Sequence, residues 1–448
     1  MRALLSLAVC ALAVLGAAAP AQAADTVELI VGREPGLSAA ERAALRADAG
    51  VEFERSLRLD HAEIVTVPAG RAAAALAALR ADPDVRWAQR DGLVHAQAGT
   101  ADPLFPYLWG LENSGRTIQG QAGLRDADMD VPAAWRTATG AGVTVAVVDT
   151  GVDASHPDLA GRLALNPGET GGGRETNGLD DDRNGLADDW RGYDFAYGDN
   201  DPDDVDGHGS HVAGTIAAAN GNAAGVSGVA PDARILALKA LDDTGTGTWS
   251  TIASAFDHAA DTGARIVNAS LGAPDYAPAI DAAISRHPNT LFVVAAGNDG
   301  LDLGGEIYYP CEAAQPNVVC VGASDNRDAR AGFSNYGPSA VDVFAPGVSV
   351  LSTRLGDYWW LDGTSMAAPH VAGTAALLLS ADSTLTAAEL KAAILDSADR
   401  KEALAPYGRD GGRTNAAAAL AAIAGSGDGD TGAGEAPVQQ PLAAPAEP

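Results

Sequence analysis

The chain has 448 residues, of which 47% are hydrophobic, 5% aromatic and 20% charged. This length and composition fit a globular protein of two or three domains and exclude disorder along the whole chain. The formal net charge is −30, from 29 basic and 59 acidic residues, and such a charge repels phosphate backbones and anionic lipid surfaces. We therefore expect no nucleic-acid partner. No internal run of 18 or more apolar residues could span a bilayer, so we expect no stable membrane insertion. We also expect a monomer.

The first segment, residues 1–23, has the features of a secretory signal peptide. Arg2 precedes an apolar run over residues 3–19, and Ala21-Gln22-Ala23 supplies the small residues that signal peptidases accept. We expect the protein to be secreted into the extracellular space. A buried helix is the alternative interpretation of the same run.

A small α+β domain is predicted for residues 25–97. Strand patterns at 27–32, 62–67 and 84–89 alternate with Ala-rich helical patterns at 39–47 and 71–80. Residues 96–101 are small or polar and are typical of an exposed linker, where proteases cut.

Residues 102–424 form the second predicted domain. Its apolar runs lack polar alternation, which indicates strands buried on both faces of a parallel sheet. We therefore predict an α/β fold, doubly wound, with helices on both faces. Residues 425–448 contain almost nothing to bury and are predicted to be a disordered tail. The predicted strands are 142–148, 234–241, 265–270, 291–296, 318–322 and 341–344, and the predicted helices are 208–219, 250–261, 365–380 and 387–397.

Three segments of the second domain contain the residue types of nucleophilic catalysis. A buried strand ends at Asp149, His208 stands among glycines at a helix start, and Ser365 begins an apolar helix. A serine hydroxyl becomes a good nucleophile when an imidazole takes its proton, and a carboxylate on the other ring nitrogen orients that imidazole. Each residue alone also has a structural explanation: a turn aspartate, a buried histidine or a zinc pair with His211, and an N-cap serine.

Taken together, residues 145–153, 206–215 and 362–370 resemble the three signatures of the subtilisin-like serine peptidases, in that family's order of Asp, His and Ser. The resemblance covers about residues 102–424. It implies a subtilisin-like fold and a serine endopeptidase that acts on protein or peptide substrates through an acyl-enzyme. The residues that match the family's triad are Asp149, His208 and Ser365.

Residues 295–300 look like the family's oxyanion motif, in which the side-chain amide of Asn298 donates to the tetrahedral intermediate. An Asn-Asp-Gly turn is the alternative. Residues 270–272 resemble the edge to which an extended peptide adds as a strand, the alternative being a structural strand end. The predicted substrate-binding residues are Ser270, Leu271, Gly272, Ala296 and Gly297.

By position and size, the domain at 25–97 resembles the inhibitory propeptide that accompanies many of these peptidases. The resemblance implies that this domain templates folding and plugs the cleft as an intramolecular inhibitor. Cleavage between about residues 97 and 102 would then release the mature enzyme from an autoprocessed precursor. A permanent accessory domain is the alternative.

An acidic loop precedes His208, because residues 175–206 hold twelve carboxylates and two arginines. Part of it follows the alternating spacing of a calcium loop. Arg191 stands where an EF-hand has its bidentate Glu, so Asp188 or Asp189 would complete the coordination shell of the calcium ion instead. A solvated loop without calcium is the alternative. The predicted ligands of structural calcium are Asp180, Asp182, Asn184 and Asp188 in this loop and, by the resemblance, Asp158 and Asn222 elsewhere.

Cys311 and Cys320 are the cysteines outside the predicted signal peptide, and in an exported protein we expect them to form a disulfide. Two rival functions remain from other classes. A serine esterase of the α/β-hydrolase type needs Gly-x-Ser-x-Gly and the order Ser, Asp, His, whereas Ala367 replaces the second glycine here. A catalytically silent binding protein on the same fold is the other. A zinc metallopeptidase is excluded because the chain has no His-Glu-x-x-His sequence.

Overall fold

The computed structural model describes residues 26–59, 61–91 and 102–426. The chain divides into two compact units, Met1–Ala98 and Gly99–Pro448. The predicted signal peptide, the predicted cleavage linker and residues 427–448 of the predicted tail lie outside the described residues. Among the described residues, we find no helix that has both the length and the apolar character of a membrane span.

The first unit is a four-stranded antiparallel sheet, in the order β2-β3-β1-β4, with two helices. Its core includes Leu29 and Val65 from the sheet and Leu79 from the second helix, all fully buried. The first helix begins at a capping box formed by Ser38 and Glu41. The elements are β1 (Thr26–Arg33), α1 (Ala39–Ala49), β2 (Glu52–Ser56), β3 (Ala62–Pro68), α2 (Ala72–Ala81) and β4 (Val85–Arg90).

The second unit is built on a nine-stranded sheet in the order β16-β17-β13-β12-β11-β10-β7-β9-β8. All neighbouring pairs are parallel except β16 with β17, which confirms the predicted α/β class. Two antiparallel hairpins, β5–β6 and β14–β15, lie outside this sheet. The strands are β5 (Thr117–Ile118), β6 (Gln121–Ala122), β7 (Thr144–Asp149), β8 (Gly192–Asp194), β9 (Arg234–Lys239), β10 (Ile266–Ala269), β11 (Leu291–Ala295), β12 (Val318–Ser324), β13 (Val343–Pro346), β14 (Val350–Arg354), β15 (Asp357–Leu361), β16 (Asp399–Arg400) and β17 (Gly412–Arg413).

Helices cover both faces of the sheet. Val145 and Val147 of β7 belong to the core shared with α4, α7, α8 and α9, whereas Ala146 and Val148 belong to the core shared with α5 and α6. This two-sided burial is why the strands read as continuous apolar runs. The helices are α3 (Val131–Ala134), α4 (His208–Ala217), α5 (Trp249–Asp261), α6 (Pro278–Arg286), α7 (Thr364–Ala381), α8 (Ala387–Asp396) and α9 (Ala416–Ser426).

The expected disulfide is confirmed, because Cys311 and Cys320 are bonded to each other. Cys320 lies within β12, and Cys311 lies in the segment that follows Tyr308 and Tyr309. The bond therefore ties this segment to the central sheet. Both cysteines are buried.

Candidate active site

The predicted catalytic residues meet at the carboxyl edge of the sheet. β9 and β10 are consecutive strands, yet they lie on opposite sides of β7, and such a reversal of strand order opens a crevice at the strand ends. Asp149 is the last residue of β7, Ser270 follows β10, and Asn298 lies just beyond β11. Three neighbouring strands thus deliver polar groups to one crevice.

His208 and Asp149 form a short hydrogen bond, with 2.7 Å between His208 Nδ1 and Asp149 Oδ1. The same carboxylate oxygen accepts the backbone N–H of Thr150 at 2.8 Å, and Asp149 is fully buried. Burial lowers the pKa of His208, but the neighbouring carboxylates, led by Asp149, outweigh it and hold that pKa above its usual value. This arrangement fixes the imidazole with Nε2 available for a second partner.

Ser365 lies at the start of α7 and is hydrogen-bonded to Ser270. Ser365 Oγ donates to the Ser270 carbonyl at 3.0 Å, and Ser270 Oγ donates to the Ser365 carbonyl at 2.8 Å. Within the described residues, no hydrogen bond joins Ser365 to His208, although both line one cleft. Such catalytic bonds commonly tighten only when substrate is bound.

Asn298 is oriented by Thr364. Its Oδ1 accepts the backbone N–H of Thr364 at 2.9 Å and the Thr364 hydroxyl at 3.0 Å. Both bonds occupy the amide oxygen, which leaves the Nδ2 donor at the cleft. Thr364 stands inside the serine signature, but the sequence gives no sign that its hydroxyl reaches a residue 66 positions away.

The cleft that contains His208 and Ser365 has a volume of about 720 Å³. Four of the five predicted substrate-binding residues line it: Ser270, Leu271, Gly272 and Gly297. Ala296 does not, because it is fully buried and its N–H donates to the Val321 carbonyl within the sheet.

The ring of Tyr308 fills the space left by the two glycines of this cleft. A Cβ on Gly272 would lie 2.4 Å from Tyr308 Cε1, and one on Gly297 would lie 2.6 Å from Tyr308 Cζ. Gly297 also has φ of +98°, which side chains rarely adopt. Burial and the charge of Asp299 raise the pKa of the Tyr308 hydroxyl, which therefore stays protonated at neutral pH.

His211 does not form a zinc pair with His208. Its Nε2 donates to the carbonyls of Val350 and Trp359 at 3.1 and 3.0 Å, and burial lowers its pKa to about 3. His211 is therefore a neutral histidine within the core.

Two carboxylates of the acidic loop lie beside a third, that of Glu169, which precedes the loop in the chain. Atoms of Glu169, Asp182 and Asp189 lie within 4.8 Å of one another. Glu169 and Asp189 are buried, and Glu169 Oε2 has no hydrogen-bond partner in the part of the chain described. Burial, followed by the charges of Asp182 and Asp180, raises the pKa of Asp189. A hard cation with oxygen ligands fits this donor set, and the sequence pattern did not include Glu169.

The other loop ligands predicted from the sequence do not join this group. Asp180 caps a turn by accepting the N–H groups of Asn184 and Gly185, and Asp188 accepts those of Asn177 and Gly178. Asn184 donates its amide to Asp189 Oδ2 at 2.8 Å, so that its nitrogen faces the group. Of the four predicted loop ligands, only Asp182 belongs to the cluster.

The second predicted pair is in direct contact. Asn222 Nδ2 donates to Asp158 Oδ1 at 2.7 Å, and Asp158 Oδ2 accepts the N–H of Val226 at 2.9 Å. Each oxygen of the carboxylate thus accepts a hydrogen bond, and calcium at Asp158 and Asn222 stays a prediction.

Asp149, His208, Ser365 and Asn298 thus lie around one crevice of this fold, and they are the residue types of a serine peptidase site. The chain belongs to the subtilase family, whose model matches residues 140–427. It is 42% identical over 278 residues to the thermophilic serine proteinase of Bacillus sp. (strain AK1), an alignment that covers 61% of each chain. It is 38% identical over 291 residues to thermitase of Thermoactinomyces vulgaris, covering 64% of this chain and 92% of thermitase.

A solved structure of a protease from Pseudoalteromonas arctica PAMC 21717 shares the fold. It superimposes with a TM-score of 0.58 at 31% identity, and the match covers 72% of this chain and 99% of that one. The predicted family and the predicted fold are thereby confirmed.

Proposed function

We propose that this chain is the precursor of a secreted serine endopeptidase that hydrolyses peptide bonds through an acyl-enzyme. The observation that carries the proposal is the 2.7 Å bond between His208 and Asp149 in a cleft that also contains Ser365 and Asn298. The nucleophile, the general base, the carboxylate that orients the base and the oxyanion donor of a serine peptidase would then each be supplied by a residue of suitable type. The membership of the subtilase family supports the same conclusion.

The contacts of Ser270 suggest how substrate activates the nucleophile. An extended peptide lying along Ser270 and Gly272 would donate an N–H to the Ser270 carbonyl, as in strand addition. Because Ser365 Oγ donates to that carbonyl at 3.0 Å, the incoming N–H displaces the hydroxyl. The freed hydroxyl can then give its proton to His208 Nε2 as it attacks the peptide carbonyl.

The developing oxyanion is stabilised by two donors in this mechanism. Asn298 Nδ2 supplies one, and the N–H of Ser365 supplies the other, since the first N–H groups of α7 lack partners within the helix. His208 next protonates the leaving amine. Water, deprotonated by the same imidazole, then attacks the acyl-enzyme and releases the acid and Ser365.

Residues 26–91 are proposed to act as the inhibitory propeptide of this peptidase. They form a compact unit with its own core, as a domain that folds by itself and is later removed requires. Cleavage between about residues 97 and 102 would be performed by the enzyme itself.

The proposal is tested by the intact mass of the purified protein, expressed without residues 1–23, beside Ser365→Ala. We expect the wild type alone to lose the segment from its new N-terminus to a cleavage position between about residues 97 and 102. Full-length wild type that also fails to cleave a peptide would favour the silent binding protein. Full-length wild type that cleaves peptides would refute self-processing only.

Calcium is proposed at Glu169, Asp182 and Asp189, where it would supply structural stabilisation and no catalytic step. The buried, unpartnered Glu169 Oε2 supports this choice, because a buried anion is costly unless it is compensated. We expect calcium to raise the melting temperature of the Ser365→Ala protein relative to chelator. Glu169→Gln should abolish that rise, whereas Glu175→Gln, at a partly exposed carboxylate of the acidic loop that is not in the cluster, should retain it. Equal melting temperatures with calcium and with chelator would refute the site.

A further inference from the structure

The segment before α4 contains a buried carboxylate that the chemistry above does not use. Asp204 is 8% exposed, and a buried carboxylate needs pairing or hydrogen bonds. In the described parts of the chain no Lys or Arg forms an ion pair with it, since Arg191 pairs with Asp201 and Asp203 instead. Hydrogen bonds alone therefore compensate the charge of Asp204.

Five donors converge on this carboxylate. Oδ1 of Asp204 accepts the hydroxyl of Thr150 at 2.9 Å and the N–H groups of Asp206 and Gly207 at 3.1 and 2.8 Å. Oδ2 accepts the N–H and the hydroxyl of Ser210 at 2.8 and 2.7 Å. These donors stand on both sides of the catalytic histidine, so the carboxylate caps the first turn of α4 from outside. The N-cap residue of the helix, Gly207, has no side chain that could do so.

Thr150 carries the connection to the end of β7. Its N–H donates to Asp149 Oδ1 at 2.8 Å, and its hydroxyl accepts the N–H of Gly209 at 2.9 Å while donating to Asp204. The two elements touch here, since a Cβ on Gly209 would lie 2.1 Å from the carbonyl oxygen of Gly151. Thr150 and Asp204 thus fix the start of α4 against the end of β7.

We propose that Asp204 is a positioning residue of the peptidase, which holds His208 against Asp149 by tying the first turn of α4 to β7 through Thr150. The 2.7 Å contact between the imidazole and Asp149 depends on the relative position of these two elements. A displacement of about 1 Å in a catalytic group can reduce the rate on the order of 10²-fold. The inference rests on the proposed function, and its test separates the two.

The charge of Asp204 also acts on the imidazole. Burial lowers the pKa of His208, and the surrounding carboxylates, Asp204 among them, raise it above its usual value. Replacing Asp204 by a neutral residue therefore lowers the pKa of His208, and the deprotonated base persists to lower pH. The titratable and charged groups around this turn, from β7, the acidic loop, α4 and β14, are Asp149, Asp204, Asp206, His211 and Arg354.

Steady-state kinetics on a peptide substrate test the proposal with Asp204→Asn, Thr150→Val and Thr150→Ser. We expect kcat to fall about tenfold to a hundredfold in the first two, with KM nearly unchanged because Thr150 and Asp204 are both buried. The acid limb of the pH profile should move to lower pH in Asp204→Asn, because that substitution removes a charge that raises the pKa of His208. Thr150→Ser should restore the rate. Asp203→Asn, which removes a neighbouring charge that pairs with Arg191, is the matched control and should resemble wild type.

A second measurement does not depend on activity. In the Ser365→Ala protein, the downfield proton resonance of His208 Nδ1–H reports the bond to Asp149, and its titration gives the imidazole pKa. We expect Asp204→Asn to lower this titration midpoint and Thr150→Val to weaken the resonance. Unchanged kcat in both variants, or an unchanged midpoint in Asp204→Asn, would overturn the proposal. An inactive wild type whose resonance still responds in this way would refute the proposed function and leave the positioning role supported.

Discussion

Acidification should destabilise the protein through His211, which is buried and neutral. Its pKa is lowered to about 3, whereas an unfolded histidine titrates near 6.5. Between these values the unfolded chain binds one more proton than the folded chain, so this contribution to stability is present above about pH 6.5 and is lost as the pH falls. At 1.36 kcal/mol per pH unit, His211 alone lowers the free energy of unfolding by about 3 kcal/mol between pH 7 and pH 4.

The comparison that isolates this effect is His211→Gln in a Ser365→Ala background, where self-digestion cannot occur. Glutamine can donate its amide to the same carbonyls of Val350 and Trp359 but cannot become charged. The free energy of unfolding, measured in urea at pH 7, 5.5 and 4, should fall about 3 kcal/mol further in the His211 parent than in the variant. Parallel losses in the two proteins would refute the reasoning.

Three further outcomes are expected. Asn298→Ala should lower kcat about 10²- to 10³-fold with little change in KM, a magnitude taken from the corresponding donor of subtilisin, a member of this family; equal peptide cleavage would exclude Asn298 from the oxyanion hole. Tyr308→Gly should raise kcat/KM for peptides with a large residue before the cut bond by roughly tenfold relative to peptides with alanine there. An unchanged ratio of these two kcat/KM values would show that the ring of Tyr308 does not limit the size of the pocket. Replacing Cys311 and Cys320 by alanine, again with Ser365→Ala, should lower the unfolding free energy by about 2 to 3 kcal/mol for a loop of this size; an unchanged urea midpoint would contradict that.

The sequence predicted the central sheet well where apolar runs were uninterrupted. Strands β7 and β9 to β13 are buried on both faces, so their sequences distinguish them from loops, whereas the short edge strand β8 was not predicted. It did not predict β2, whose five residues are all exposed. It also missed α6, which starts at Pro278, because proline at a first helical position resembles a break.

Within the site, residues on strand ends and helix starts could be predicted, whereas their supporting partners could not. Asp149, His208 and Ser365 are fixed by local patterns and by the resemblance. The contacts of Asp204 and Glu169, on which their proposed roles depend, arise only when a loop folds over the end of the sheet. The spacing of residues along the chain cannot predict such contacts.

The assembly of the cleft from distant strands has a consequence for when the site forms during folding. The contacts that define the site join residues separated by 59, 66 and 95 positions. Contacts of such high sequence separation form late, because each closes a long loop before it gains energy. A nascent or partly folded chain therefore lacks both the bond between His208 and Asp149 and the bond that orients Asn298. The proposed proteolytic activity is therefore expected only after the second unit has folded.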